Sequence, residues 1–206
     1  MRKAISALLI ISLIASLSGC GSSVKLDLAS FEKYALTDLQ LEKKDISAND
    51  NNAYYDLDHT IDNEAEPTRK RDHTAQVYST ASGSTASSMI MIYTDYQDAN
   101  EAKSYFEELS LQEESLMSQL KQSSSDEIKI DKGTGYLLVM TCQAELTWKY
   151  ECLYLQNDVI LFVSIIIGTS DINNINKDWL GNAKKFFSDV NIKSPFSLTP
   201  AIEKMA

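Results

Sequence analysis

Val159-Ile160-Leu161-Phe162-Val163-Ser164-Ile165-Ile166-Ile167 is apolar at both of its alternating sets of positions. Neighbouring side chains of a strand point to opposite faces, so a run of this kind has to be covered on both sides. It is far shorter than the roughly 20 apolar residues that a membrane-crossing helix needs. The run is therefore read as the central strand of a sheet, and the rest of the chain is sorted by whether it extends that sheet or covers it.

Upstream of it, Glu127 to Ile130, Tyr136 to Gln143 and Trp148 to Leu155 are rich in strand-forming residues. Gly133, Glu145 to Thr147, and Asn157-Asp158 supply turns between them, which makes an antiparallel meander. Earlier still, Ala75 to Tyr78 and Met89 to Tyr93 read as two more strands. The Ser/Thr/Gly-rich stretch between them is a linker or a hairpin, and the closeness of its flanking strands favours a hairpin turning near Gly83.

Two long helices are available as cover. Asp98-x-x-Glu101 has the form of a capping box, and Ala102, Phe106, Leu109, Leu116 and Leu120 then mark one face, with Tyr105 beside it. Glu113 interrupts that stripe, so the helix is expected to bend or leave the core there. From Asp171 to Asn191, the residues Ile172, Ile175, Trp179, Ala183, Phe186 and Val190 follow helical spacing, widened by Phe187. A shorter amphipathic segment with Leu28, Phe31, Tyr34, Ala35 and Leu39 lies within residues 26 to 41. The sum is a single α+β domain over residues 26–195, with an antiparallel sheet of about five or six strands and two main helices. Residues 196–206, which follow Pro195 and contain Pro200, are expected to be a loose tail.

With a turn near Thr147, Cys142 would face Cys152, Met140 would face Tyr154, and Ala144 would face Tyr150. Two readings then stand side by side: a structural Cys142–Cys152 disulfide, or two packed thiols. A redox centre is not indicated, since no C-x-x-C spacing occurs. Because two long helices are few for a sheet apolar on both faces, either the N-terminal segment covers the rest or an apolar cleft remains. That cleft would be lined by Met140, Trp148, Tyr150 and Tyr154.

The N-terminus carries a separate signal. Arg2 and Lys3 precede the uncharged apolar run Ala7 to Leu17, and Leu17-Ser18-Gly19-Cys20 closes it. Charge, length and small residues suit a secretory signal peptide, with a retained signal anchor as the alternative. Leu17-Ser18-Gly19-Cys20 resembles the lipobox of bacterial lipoproteins. The resemblance implies that residues 1–19 are removed and that Cys20 carries a diacylglyceryl thioether. Residues 20–25 would be the lipidated tether, and two acyl chains would suffice for stable anchoring. The expected place is the extracytoplasmic face of the cell membrane.

Composition excludes more than it suggests. The 206 residues hold 19 Lys and Arg against 29 Asp and Glu, and loss of Arg2 and Lys3 takes the net charge from −10 to −12. Such a chain is unsuited to nucleic acid and is repelled by anionic headgroups, so lipid rather than protein surface would hold it at the membrane. Residues 45–73 form an acidic loop region. Its Asp56, Asp58 and Asp62 invite Ca²⁺, yet Ile61 and Pro67 occupy the positions where an EF-hand requires Gly and Glu. The only two histidines, His59 and His73, support neither a triad nor a zinc site. No phosphate-binding loop or dinucleotide fingerprint is present. No metal, cofactor or catalytic residue is expected, and a non-enzymatic role is favoured.

Residues 89 to 191 also resemble the extracytoplasmic sensor domains of certain actinobacterial serine/threonine kinases and related lipoproteins. The likeness lies in Asp98-Ala99-x-x-Ala102 with Tyr105 and Phe106, a meander containing Cys152 and Asn157-Asp158-Val159-Ile160, and a closing helix. It implies an α+β domain that binds a ligand in a cleft. Those domains usually carry a disulfide to their first helix, and residues 98 to 122 here contain no Cys, so no binding residue is carried over. The expected function is a membrane-anchored ligand-binding or protein-interaction module whose small ligand or envelope protein partner is unknown. An envelope-polymer hydrolase using a carboxylate pair, or a structural subunit of an envelope complex, are the alternatives.

Overall fold

The two-sided apolar run forms β7 (Val159–Gly168), and it sits in the middle of one antiparallel sheet. The computed structural model describes residues 26–44, 73–80, 87–123, 127–143, 147–168 and 177–205. The other strands are β1 (Leu41–Lys44), β2 (His73–Thr80), β3 (Ser87–Tyr96), β4 (Glu127–Gly133), β5 (Tyr136–Gln143) and β6 (Thr147–Gln156). Their spatial order is β1-β2-β3-β7-β6-β5-β4, so the described residues form seven strands instead of five or six. The extra one is β1, a four-residue edge strand (LEKK) whose single buried residue, Leu41, left no alternation to read.

The fold is α+β. Helix α1 (Leu28–Glu32) is capped by Asp27, whose carboxylate accepts from the Ser30 amide at 2.8 Å. It continues as a π-helical turn over Lys33–Asp38, closed by the Leu39 amide donating to the Tyr34 carbonyl. The wider turn keeps Phe31, Ala35 and Leu39 on one buried side. Helix α2 (Ala99–Ser123) starts just after Asp98, whose Oδ1 accepts from the Asn100 amide at 2.8 Å. Helix α3 (Lys177–Asp189) buries Leu180, Ala183, Phe186 and Phe187.

Residues expected to be a loose tail are folded. Pro195–Leu198 form a 3-10 turn capped by Ser194, and Pro200–Glu203 form the short helix α4. Phe196 and Ile202 are fully buried. The two prolines that argued against structure occupy the first positions of these elements, where the missing N–H costs nothing.

One face of the sheet is sealed by α1, α3 and the C-terminal turns together. Phe31 wedges between Tyr78 and Tyr93, with ring centroids 5.1 Å from each. Phe186, Phe187 and Phe196 continue the aromatic layer across to Tyr150. Polar ties clamp the layer: Tyr78 Oη donates to Glu32 at 2.6 Å, and Tyr34 Oη donates to Asp189 at 2.5 Å. Burying each large side chain of this layer stabilises by about 1.5–3 kcal/mol. Among the described residues, the opposite face is covered by α2 alone.

Candidate functional site

Strand register lays out the α2-covered face row by row. One row reads Ser88, Ile166, Lys149, Thr141, Ile128 across β3, β7, β6, β5 and β4. The next reads Ile90, Ser164, Glu151, Val139, Ile130, and the third Ile92, Phe162, Leu153, Leu137, Lys132. Helix α2 starts where β3 ends and returns along the sheet toward the start of β4. Ala102, Tyr105, Phe106, Leu109 and Met117 seal Leu137, Val139, Leu153 and Ile160 beneath it. The rows on the β3 and β7 side of the helix are less covered: Ile90 and Phe162 are half-buried, and Ile166 is 37% exposed. This leaves an open apolar corner edged by Ser88.

At the boundary between corner and helix stands Glu113. It lies one turn after buried Leu109 and one turn before buried Met117, so it faces the sheet. Its Oε1 is closed off from solvent and meets no hydrogen-bond donor among the described residues, as does Ser110 Oγ one turn earlier. Opposite it on β6, Lys149 Nζ pairs with Glu151 Oε1 at 2.7 Å. Burial pushes the Glu113 carboxyl up to about 7; repulsion from Glu151 adds to the rise and Lys149 opposes it. A carboxyl in this position spends much of its time protonated near neutral pH. It then donates a hydrogen bond instead of accepting one.

The helix does not leave the core at Glu113, contrary to the expectation from the broken stripe: α2 is continuous and Met117 is still buried beyond it. Leu116 and Leu120, expected in the stripe, are 47% and 42% exposed. The 25-residue helix is about 37 Å long. The longest strands, at ten residues, reach only about 33 Å. The helix is thus slightly longer than the strands it covers.

The residues expected to line a cleft are on the sealed face. Met140, Tyr150 and Tyr154 are fully buried, and Trp148 is packed at the edge of the same core. Tyr150 Oη donates to Thr199 Oγ1 at 2.8 Å and Tyr154 Oη to the Lys193 carbonyl at 2.8 Å. The C-terminal turns thus fill the space that the sequence left open, and the cleft at these residues is removed. The Cys142–Cys152 pairing is also corrected. Cys142 opposes Trp148, and Cys152 opposes Leu138. Cys152 therefore lies four residues along β6 from the position opposite Cys142, roughly 13 Å away, beyond the ~7 Å limit for a disulfide. Both are buried thiols with no bond between them. Burial pushes the Cys152 thiol well up, which makes it inert.

Glu151 and Lys149 carried no signal in the sequence, since an alternating strand is expected to show polar residues on one side. Glu113 did carry one, as the acid that breaks the helix stripe. Cys20, His59 and the acidic-loop residues Asp56, Asp58 and Asp62 lie outside the described residues. Among the described residues, no group of three or more His, Cys, Asp or Glu is placed to hold a metal ion, and no helix is long and apolar enough to cross a membrane.

Comparison of the sequence with family models and with curated proteins returns no match. Among solved structures, the chain is similar to the extracellular domain of PknH from Mycobacterium tuberculosis, at 10% identity and a TM-score of 0.34. The alignment covers 58% of this chain and 63% of that domain, less than two thirds of its length. The likeness is distant, and no residue role is taken from it.

Proposed function

We propose that this chain is a lipid-anchored module on the outer face of the cell membrane that binds an amphipathic ligand and performs no catalysis. The observation that carries the reading is the unequal covering of the sheet. One face is sealed by four elements, whereas the other leaves Ile166 exposed beside Glu113, Glu151 and Lys149. Apolar side chains flanked by a donor and an acceptor suit a ligand with both characters. The lipobox-like Leu17 to Cys20 supports the anchor.

The test uses the full chain, extracted from membranes in detergent and examined by native mass spectrometry. A retained small molecule that is lost in Ile166→Glu supports the reading. A bare chain, or a ligand that Ile166→Glu leaves in place, removes it. Co-purified protein without small ligand favours the structural-subunit alternative instead. In the same sample, a diacylglyceryl mass on Cys20, absent from Cys20→Ala, tests the anchor.

A second reading draws on Glu113 itself. A carboxyl held protonated near pH 7 beside a second carboxylate is the arrangement of a general acid paired with a base or nucleophile. Under it, Glu113→Gln abolishes hydrolysis of an envelope glycan. The absence of any hydrolysis by the unaltered chain removes that reading.

A further inference from the structure

The part of α2 beyond Glu113 buries little of itself. Met117 is its last buried apolar residue, and Glu114 pairs with Lys132 of β4 at 2.7 Å. Before Glu113, four large or well-packed side chains anchor the helix: Ala102, Tyr105, Phe106 and Leu109. Glu113 stands at the junction of the strongly and weakly held halves. One of its oxygens is buried without a donor. A neutral carboxyl tolerates such a place at modest cost, while an ionised one does not.

We infer that residues 113–123 of α2 act as a proton-gated lid, docked on the sheet while Glu113 is neutral and released from it when Glu113 ionises. The charged surroundings argue for release over local rearrangement. From β6, Glu151 repels the ionised form, and Lys149, which would welcome it, is already paired with Glu151. From β4, Lys132 is taken by Glu114. The residues facing α2 from β7, β5 and β3 in the neighbouring rows are uncharged: Ser164, Val139 and Ile90. Cys152 feels Glu113 only from the far side of its own strand. Release would lift Met117 out of the layer that seals this face and so extend the open corner beneath the end of α2. The lid does not depend on what the corner binds.

Amide hydrogen exchange of the full chain at pH 5.5 and pH 8.0, corrected for the intrinsic rates, reads this directly. Residues 113–123 should lose at least about tenfold in protection at the higher pH, while residues 99–109 change by less than about twofold. Glu113→Gln should hold the lid protected at both values. Equal protection of the unaltered chain at both pH values overturns the inference, as does the same loss in Glu113→Gln. Should that variant fail to fold, Glu151→Gln decides. Removing the repelling carboxylate and freeing Lys149 to pair with ionised Glu113 should keep residues 113–123 protected at pH 8.0, and an unchanged loss of protection there overturns the lid.

Discussion

Glu113 has a thermodynamic signature apart from any motion. Its carboxyl titrates near 4.5 when free and near 7 in the folded chain. Between those values the folded state binds more protons than the unfolded one, so stability falls as pH rises through this window. Below about 4.5 both states are protonated and the group contributes no slope; above about 7 the full penalty is in place. Glu113→Gln should therefore flatten the pH dependence between 4.5 and 7. It should also raise stability at pH 8 by about 1–2 kcal/mol, after discounting for screening at a partly exposed group. Urea titrations at pH 5 and pH 8 check this, and parallel pH profiles for the two chains count against it. At the same scale, Tyr150→Phe removes the bond to Thr199 and should cost about 1 kcal/mol, measured at fixed pH. The broken stripe made Glu113 visible in the sequence. Its partners were not, because which strand lies under a helix is decided by register and not by local pattern.

Among the elements, the C-terminal turns diverge most from what their residues suggested. Pro195 and Pro200 were read as breakers, yet each opens a short helical element whose apolar residue plugs the core. Phe196 packs edge-on against Tyr150 at 5.7 Å and against Phe187 at 6.1 Å. Phe196→Ala should lower the unfolding free energy by about 3–5 kcal/mol, whereas a truly loose tail would give a change near zero. Denaturant midpoints distinguish the two. The β5–β6 hairpin shows the other way in which local reading falls short. Its register differs from the expected one by four residues. An even slip keeps every side chain on its face. The inward set of Met140, Cys142, Tyr150, Cys152 and Tyr154 was therefore assigned to one face correctly, while each pairing within it was misplaced.

For the molecule as a whole, the central place of β7 followed from residues 159–167 alone, because two-sided burial is a property of that segment, and the α+β class followed from the meander and the two long helices taken together. The division of cover between the two faces did not. It depends on α1, α3 and the C-terminal turns converging on one side, which no single stretch encodes. That convergence is why the uncovered surface lies on the face opposite the one first considered. With no Cys142–Cys152 bond, the folded domain gains nothing from oxidation. The thermal midpoint in excess dithiothreitol should match that without it, and a drop of several degrees would show a bridge.

The order of strands also bears on how the chain assembles. The meander from β4 to β7 joins neighbours in sequence, whereas β1, β2 and β3 attach to it only through the β3–β7 seam, where Ser87 meets Ile167. Closing a loop that long is entropically slow and is rewarded only once both strands exist. A chain emerging from its N-terminus therefore holds β3 with one unsatisfied edge until residue 167 has been made. Just over four fifths of the sequence must be out before the sheet can become continuous.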